Sequence, residues 1–134
     1  MIRRTIKIGR WQVEFYFARE SYDVDLLLDR MYDFGATANP MRQALSLMEE
    51  GGKNTGFTFA NPEERVALIA IGPTTSGEQF QNTLVHEIHH LAVAIASNLG
   101  IDLEAESPAY IAGDSAMALA DVICKMGCEH CHTA

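Results

Sequence analysis

The chain has 134 residues, of which 48% are hydrophobic and 21% charged, and a formal net charge of −8. That length suits one domain, spanning 1–134, with a core large enough to need no disulfides. The negative balance argues against a nucleic-acid partner, no segment is apolar enough for a membrane span, and no apolar stretch follows Arg3-Arg4 as a signal peptide requires.

"TIKIGRWQVEFYF" reads as two strands joined at Gly9-Arg10, with glycine where a tight turn needs positive φ. Arg3, Arg4, Lys7 and Arg10 are expected on a solvated strand face. Trp11, Val13, Phe15 and Phe17 alternate with Gln12, Glu14 and Tyr16, which predicts a half-buried strand. "SYDVDLLLDRMYDFG" has helical character, with Leu27, Leu28 and Met31 on its apolar face and Gly35 as its stop. Residues from Pro40 to Glu50 read as a shorter helix, proline in its first turn and Gly51-Gly52 at its end. "GFTFA" is a short strand, Asn61-Pro62 a turn, and "RVALIAIG" a strand buried on both faces.

"GPTTSGEQFQNTLVHEIHHLAVAIASNLG" carries the clearest signals. Thr75 and Ser76 each have Glu78 or Gln79 three residues on, the capping-box pattern, so a helix is expected from about Gly77 to Asn98 with Gly100 beyond it. "LAVAIA" is apolar nearly all round, which predicts an interior helix with its histidines deep or at the floor of a cleft. A single last helix is expected over "ESPAYIAGDSAMALADVICKM", Pro108 in its first turn and Gly127 its stop. No repeats or linkers interrupt the chain.

The chemistry lies in His86-Glu87-Ile88-His89-His90, an H-E-x-x-H pattern. Four residues apart on a helix, His86 and His90 share a face and can offer ring nitrogens to one ion, for which zinc is suited. Glu87 sits about 100° further round, beside the metal rather than on it, where it can take a proton from activated water. His89 is expected to be a bystander or a group behind the ligands. A zinc of this kind needs a third protein ligand. Asp102, Glu104 and Glu106 are candidates, with Glu106 first and Glu104 in reserve, because Glu106, Tyr110, Gly113 and Met117 share a helix face. Tyr110 is a candidate oxyanion donor, or else a core tyrosine backing the ligands.

"TLVHEIHHLAVAIASNLGI" followed by "ESPAYIAGD" resembles the zincin-fold metallopeptidases of the gluzincin type, and within them small proteins of bacteriophages and integrated elements. The likeness covers residues 75 to about 120. It implies zinc held by His86, His90 and Glu106, with Glu87 as catalytic base and a peptide or protein as substrate. It also implies an α+β, zincin-like fold: a small, mainly antiparallel sheet packed on the H-E-x-x-H helix and a following C-terminal helix. His90 and Glu106 stand closer in sequence than their counterparts in large gluzincins, and the sizeable second lobe of those enzymes is missing. The alternative is therefore a non-catalytic phage or mobile-element protein in which zinc stabilises the fold around a relict site.

Cys124, Cys128 and Cys131 crowd into the last eleven residues, which is no secreted framework and leads to the expectation of a reducing cytoplasm. Cys128-Glu129-His130-Cys131-His132 matches the c-type haem pattern, but haem attachment is not the expectation here. A structural zinc on the three thiolates and a histidine is more plausible. The simplest expectation is a last helical turn and then a frayed tail within 122–134.

Overall fold

The computed structural model describes residues 1–50, 52–100 and 106–132, excepting the side chains of 106, 107 and 128–132. The described chain is α+β. Its strands are β1 (Ile2–Ile8), β2 (Trp11–Phe17), β3 (Gly56–Asn61) and β4 (Val66–Ile71). Its helices are α1 (Val24–Asp33), α2 (Ala38–Glu49), α3 (Gly77–Asn98), α4 (Glu106–Ala118) and α5 (Ala120–His132). No helix among the described residues is long and apolar enough to cross a membrane.

The strands form one sheet in the order β1-β2-β4-β3. The outer pairs are antiparallel and the central β2–β4 pair is parallel, so the sheet is mixed. The β1–β2 turn places Gly9 at φ +59°, as the two-residue connection demands. Alternation then sends side chains to two separate cores. On one face, Trp11, Val13, Phe15, Phe17, Ala67, Ile69 and Ile71 pack against Phe80, Leu84, Ile88, Leu91 and Ile95 of α3 and against Leu119, Val122 and Met126. On the other, Tyr16, Leu68 and Ala70 meet Leu27 and Met31 of α1 and Ala44 and Met48 of α2. The sheet is thus the middle layer of three, and β4 is buried on both faces as its composition implies.

The expectation for β2 needs correcting. It is not half-buried, since Glu14 and Tyr16 are 0% and 1% exposed. A carboxylate survives there because it is saturated with donors: Arg3 Nη2, Tyr16 Oη and Arg30 Nε reach its Oε1 at 2.9, 2.6 and 3.0 Å, and Arg30 Nη2 reaches Oε2 at 2.7 Å. Arg30 comes from α1, so this cluster bolts the helix to the sheet.

The last helix is also corrected, because it is two. Ser115 Oγ donates back to the Ile111 carbonyl at 2.8 Å, a competing bond that bends helices, and the Leu119 N–H is shared between Ser115 and Ala116 carbonyls, each 3.2 Å away. The break at Leu119 turns Leu119 and Val122 into the core, both 0% exposed. Gly127 does not stop the helix: α5 runs on to His132, replacing the frayed tail expected there, and a Cβ on Gly77 would sit 3.9 Å from the Gly127 Cα. α5 therefore closes against the first turn of α3.

Candidate metal centre

α3 begins where the sequence predicts. Ser76 is the N-cap, its Oγ accepting the Gln79 N–H at 3.1 Å. Thr75 serves a different purpose: its N–H and hydroxyl bond Asn54, which stands at φ +63° just before β3. Asn54 in turn accepts on its carbonyl from Thr83 Oγ1 at 3.3 Å. The helix start is thereby pinned to the start of edge strand β3, and Asn98 Nδ2 reaches the Pro62 carbonyl at the far end. α3 runs alongside β3 in the same direction.

The helix is not apolar all round. Phe80, Leu84, Ile88, Leu91 and Ile95 take the sheet side, which leaves His86, His89 and His90 exposed rather than deep. The inverse holds for the acid: Glu87 is only 4% exposed. A 3.6-residue period explains both, since Glu87 lies one turn from Leu84 and Leu91 while His86 and His90 lie on the opposite edge.

His86 Nε2 and His90 Nε2 are 3.1 Å apart, their rings edge to face with centroids at 4.7 Å. Two zinc–nitrogen bonds of ~2.0–2.1 Å at a tetrahedral angle need nitrogens about 3.3 Å apart. The separation is close to that requirement, and at present one ring's Nε2–H donates to the other's Nε2, a contact that a shared ion would replace. His89 is turned aside, its ring tilted 55° to that of His90 with centroids 6.2 Å apart.

Glu87 is held from below by β3. A Cβ on Gly56 would lie 3.1 Å from Glu87 Cγ and 3.0 Å from Thr83 Cγ2, so the strand approaches the helix closely enough that any larger residue would have to push its neighbours aside by a few tenths of an ångström. Thr58, two residues on and therefore on the same sheet face, donates from Oγ1 to Glu87 Oε1 at 3.0 Å, with the Glu87 carbonyl at 3.3 Å. Oε2 has no hydrogen bond among the described residues. Close by, the Tyr22 hydroxyl pairs with Thr55 Oγ1 at 2.8 Å. Burial raises the Tyr22 pKa above its ordinary value, against the lowering bond from Thr55, and the Glu87 charge adds to the rise.

Gly56→Ala is expected to force β3 and α3 apart, at a cost of roughly 1–3 kcal/mol. Urea unfolding of the variant checks this, and a cost near zero would mean the approach is not tight.

The structure sets His86 against His90 and places Glu87 on the β3 side of α3, hydrogen-bonded to Thr58. Tyr110 is 66% exposed. It lines a cavity of about 530 Å³ with Trp11, Arg65, Ile95 and Leu99. Ile95 in the last turns of α3 and its C-cap Leu99 lie about 8 and 14 Å beyond His90 along the helix axis, so the cavity belongs to the C-terminal end of α3. Among the described residues no three His, Cys, Asp or Glu groups converge on a point. Asp102, Glu104 and the side chain of Glu106 lie outside the described residues, as do the side chains of Cys128 and Cys131. Cys124 is exposed and free.

Thr58, Gly56 and Tyr22 are neighbours of Glu87 that sequence reasoning missed. Thr58 did leave a signal: it is the polar residue between Phe57 and Phe59, whose side chains face the other core. A hydroxyl on the covered face of a strand calls for a partner. Comparisons with family models, curated proteins and solved structures find no match to this chain.

Proposed function

We propose that the protein is a small zinc-dependent hydrolase, a peptidase with a zincin-like domain, in which His86 and His90 hold the metal and Glu87 is the general base. The observation that carries the reading is the 3.1 Å separation of the two Nε2 atoms on an H-E-x-x-H helix, with the intervening acid bonded to Thr58 of the sheet. A third donor is drawn from the segment after α3, Glu106 first and Glu104 in reserve. Bound there, zinc would lower the pKa of a water towards ~7 and polarise the scissile carbonyl.

The chain's own residues do the rest. Glu87 Oε2 takes the proton of the attacking water and delivers it to the departing amine nitrogen, while Oε1 stays tied to Thr58. β3 lies at the sheet edge beside this acid, and an edge strand can pair with an extended peptide through its backbone groups. That feature favours a peptide over other carbonyl substrates. The odd, clustered cysteines suit a reducing cytoplasm.

A second reading draws on Glu87 being 4% exposed and already bonded to the sheet. In it, the metal and the acid only brace α3 against β3, and no substrate is turned over.

Elemental analysis tests the site itself. One equivalent of zinc is expected in the wild type and should be lost in His86→Ala and His90→Ala. Loss in Glu106→Ala makes Glu106 the third ligand, whereas retention moves that role to Glu104 or Asp102. A wild type that takes up no zinc from a buffered excess would sink the proposal.

A further inference from the structure

We infer that Thr58 is the positioning residue for Glu87: the hydroxyl from edge strand β3 pins one carboxylate oxygen so that the other, Oε2, is presented to the attacking water. The inference rests on the metal-hydrolase reading above.

A glutamate on a helix edge has three torsions to settle, and the pocket settles them from two sides. At Gly56 an added Cβ would sit 3.1 Å from Glu87 Cγ, so the strand leaves the stem little room to move. Thr58 Oγ1, 3.0 Å from Oε1, fixes the head. Thr58 is itself stiff, being β-branched on a strand, so it is a firm anchor. Its single hydrogen faces two acceptors, the carboxylate at 3.0 Å and the Glu87 carbonyl at 3.3 Å. The nearer, charged acceptor takes it. Oε1 is thereby engaged, and Oε2 is the carboxylate oxygen without a hydrogen bond among the described residues.

This is a matter of aim. A base that swings among rotamers spends little time in line with the water, and misplacement by about 1 Å costs on the order of 10²-fold in rate. Among the described residues the Thr58 hydroxyl bonds only Glu87, so the metal ligands need no change when the hydroxyl goes.

Thr58→Val keeps the shape and removes the donor, while Thr58→Ser keeps the donor. Zinc content, crystal structures of both variants, and steady-state hydrolysis of a fluorogenic peptide library form the test. Thr58→Val should keep its zinc, release the Glu87 carboxylate from its wild-type position, and lose about 10²-fold in kcat with KM unchanged. Thr58→Ser should restore both the position and kcat. A carboxylate unmoved in Thr58→Val, or equal kcat in the Val and Ser variants, would overturn the inference. Thr58→Ala replaces Thr58→Val if the latter fails to fold. A zinc-free wild type would instead defeat the reading of the site, and the carboxylate position would still decide whether Thr58 aims Glu87.

Discussion

Glu87→Gln is expected to bind zinc like the wild type and to lose hydrolysis by roughly 10²- to 10⁴-fold, the range a positioned general base supplies. The amide is nearly isosteric, and its carbonyl oxygen can still accept from Thr58 as Oε1 does at 3.0 Å. The close fit against Gly56 is kept as well. What goes is the ability of the second position to accept a proton from water, since an amide NH₂ has only donors. Zinc content and peptide turnover measured on the same preparation separate the two functions of the helix. Unchanged turnover with zinc bound would exclude Glu87 as the base. A wild type that holds zinc and hydrolyses nothing would favour the second reading, in which Glu87 only ties α3 to β3.

The largest stability effect is expected away from the site, in Arg30→Ala. Glu14 has a side chain with 0% exposure, and Arg30 supplies two of its four hydrogen bonds, including the shortest charged one at 2.7 Å. Removing it strands a buried carboxylate, which costs about 3–5 kcal/mol. A domain of this size is stable by only about 5–15 kcal/mol, so the variant should be close to its limit. Arg3→Ala removes a partner that is 52% exposed and should cost about 1 kcal/mol or less. Equal costs for the two in urea titrations would mean that Glu14 is not stranded by the loss of Arg30.

The same cluster sets the acid limb of stability. Burial pushes the Glu14 carboxyl upward, but hydrogen bonds from Arg30 and Tyr16 and the charges of Arg30 and Arg3 outweigh it, and the net shift is downward from 4.5. A depressed carboxyl adds stability above its unfolded pKa, and that stability is lost as pH falls through the lower, folded value. Wild type should therefore weaken below about pH 4, and Glu14→Gln should show a shallower acid slope. Tyr16 works in the opposite direction. Burial, then the bond to Glu14 and its charge, push Tyr16 up to about 12, so its contribution is full below pH 10 and fades as pH rises through that value.

Much of this molecule is written in local sequence. Hydrophobic period, glycine placement and caps are short-range signals, which is why the Gly9 turn, the β4 run and the Gly77–Asn98 helix are all legible from the residues alone. So is the pairing of His86 with His90, because a four-residue spacing becomes a shared face as soon as a helix forms. Burial is not local. The chain pattern makes Glu14 look like the solvent side of a strand and makes the histidines look interior, and both expectations reverse. Glu14 is sealed in by α1 lying across β2, and the arginine that satisfies it stands sixteen residues away. The histidines are exposed because the sheet takes the other side of α3. The break at Leu119 depends on the core wanting Leu119 and Val122 together, which helix propensity does not foresee. What the sequence determined by itself was which residues could do chemistry; what the tertiary structure decided was how they are held. Gly56 and Thr58 reach Glu87 from about thirty residues upstream, a separation across which only packing, and no local rule, can act.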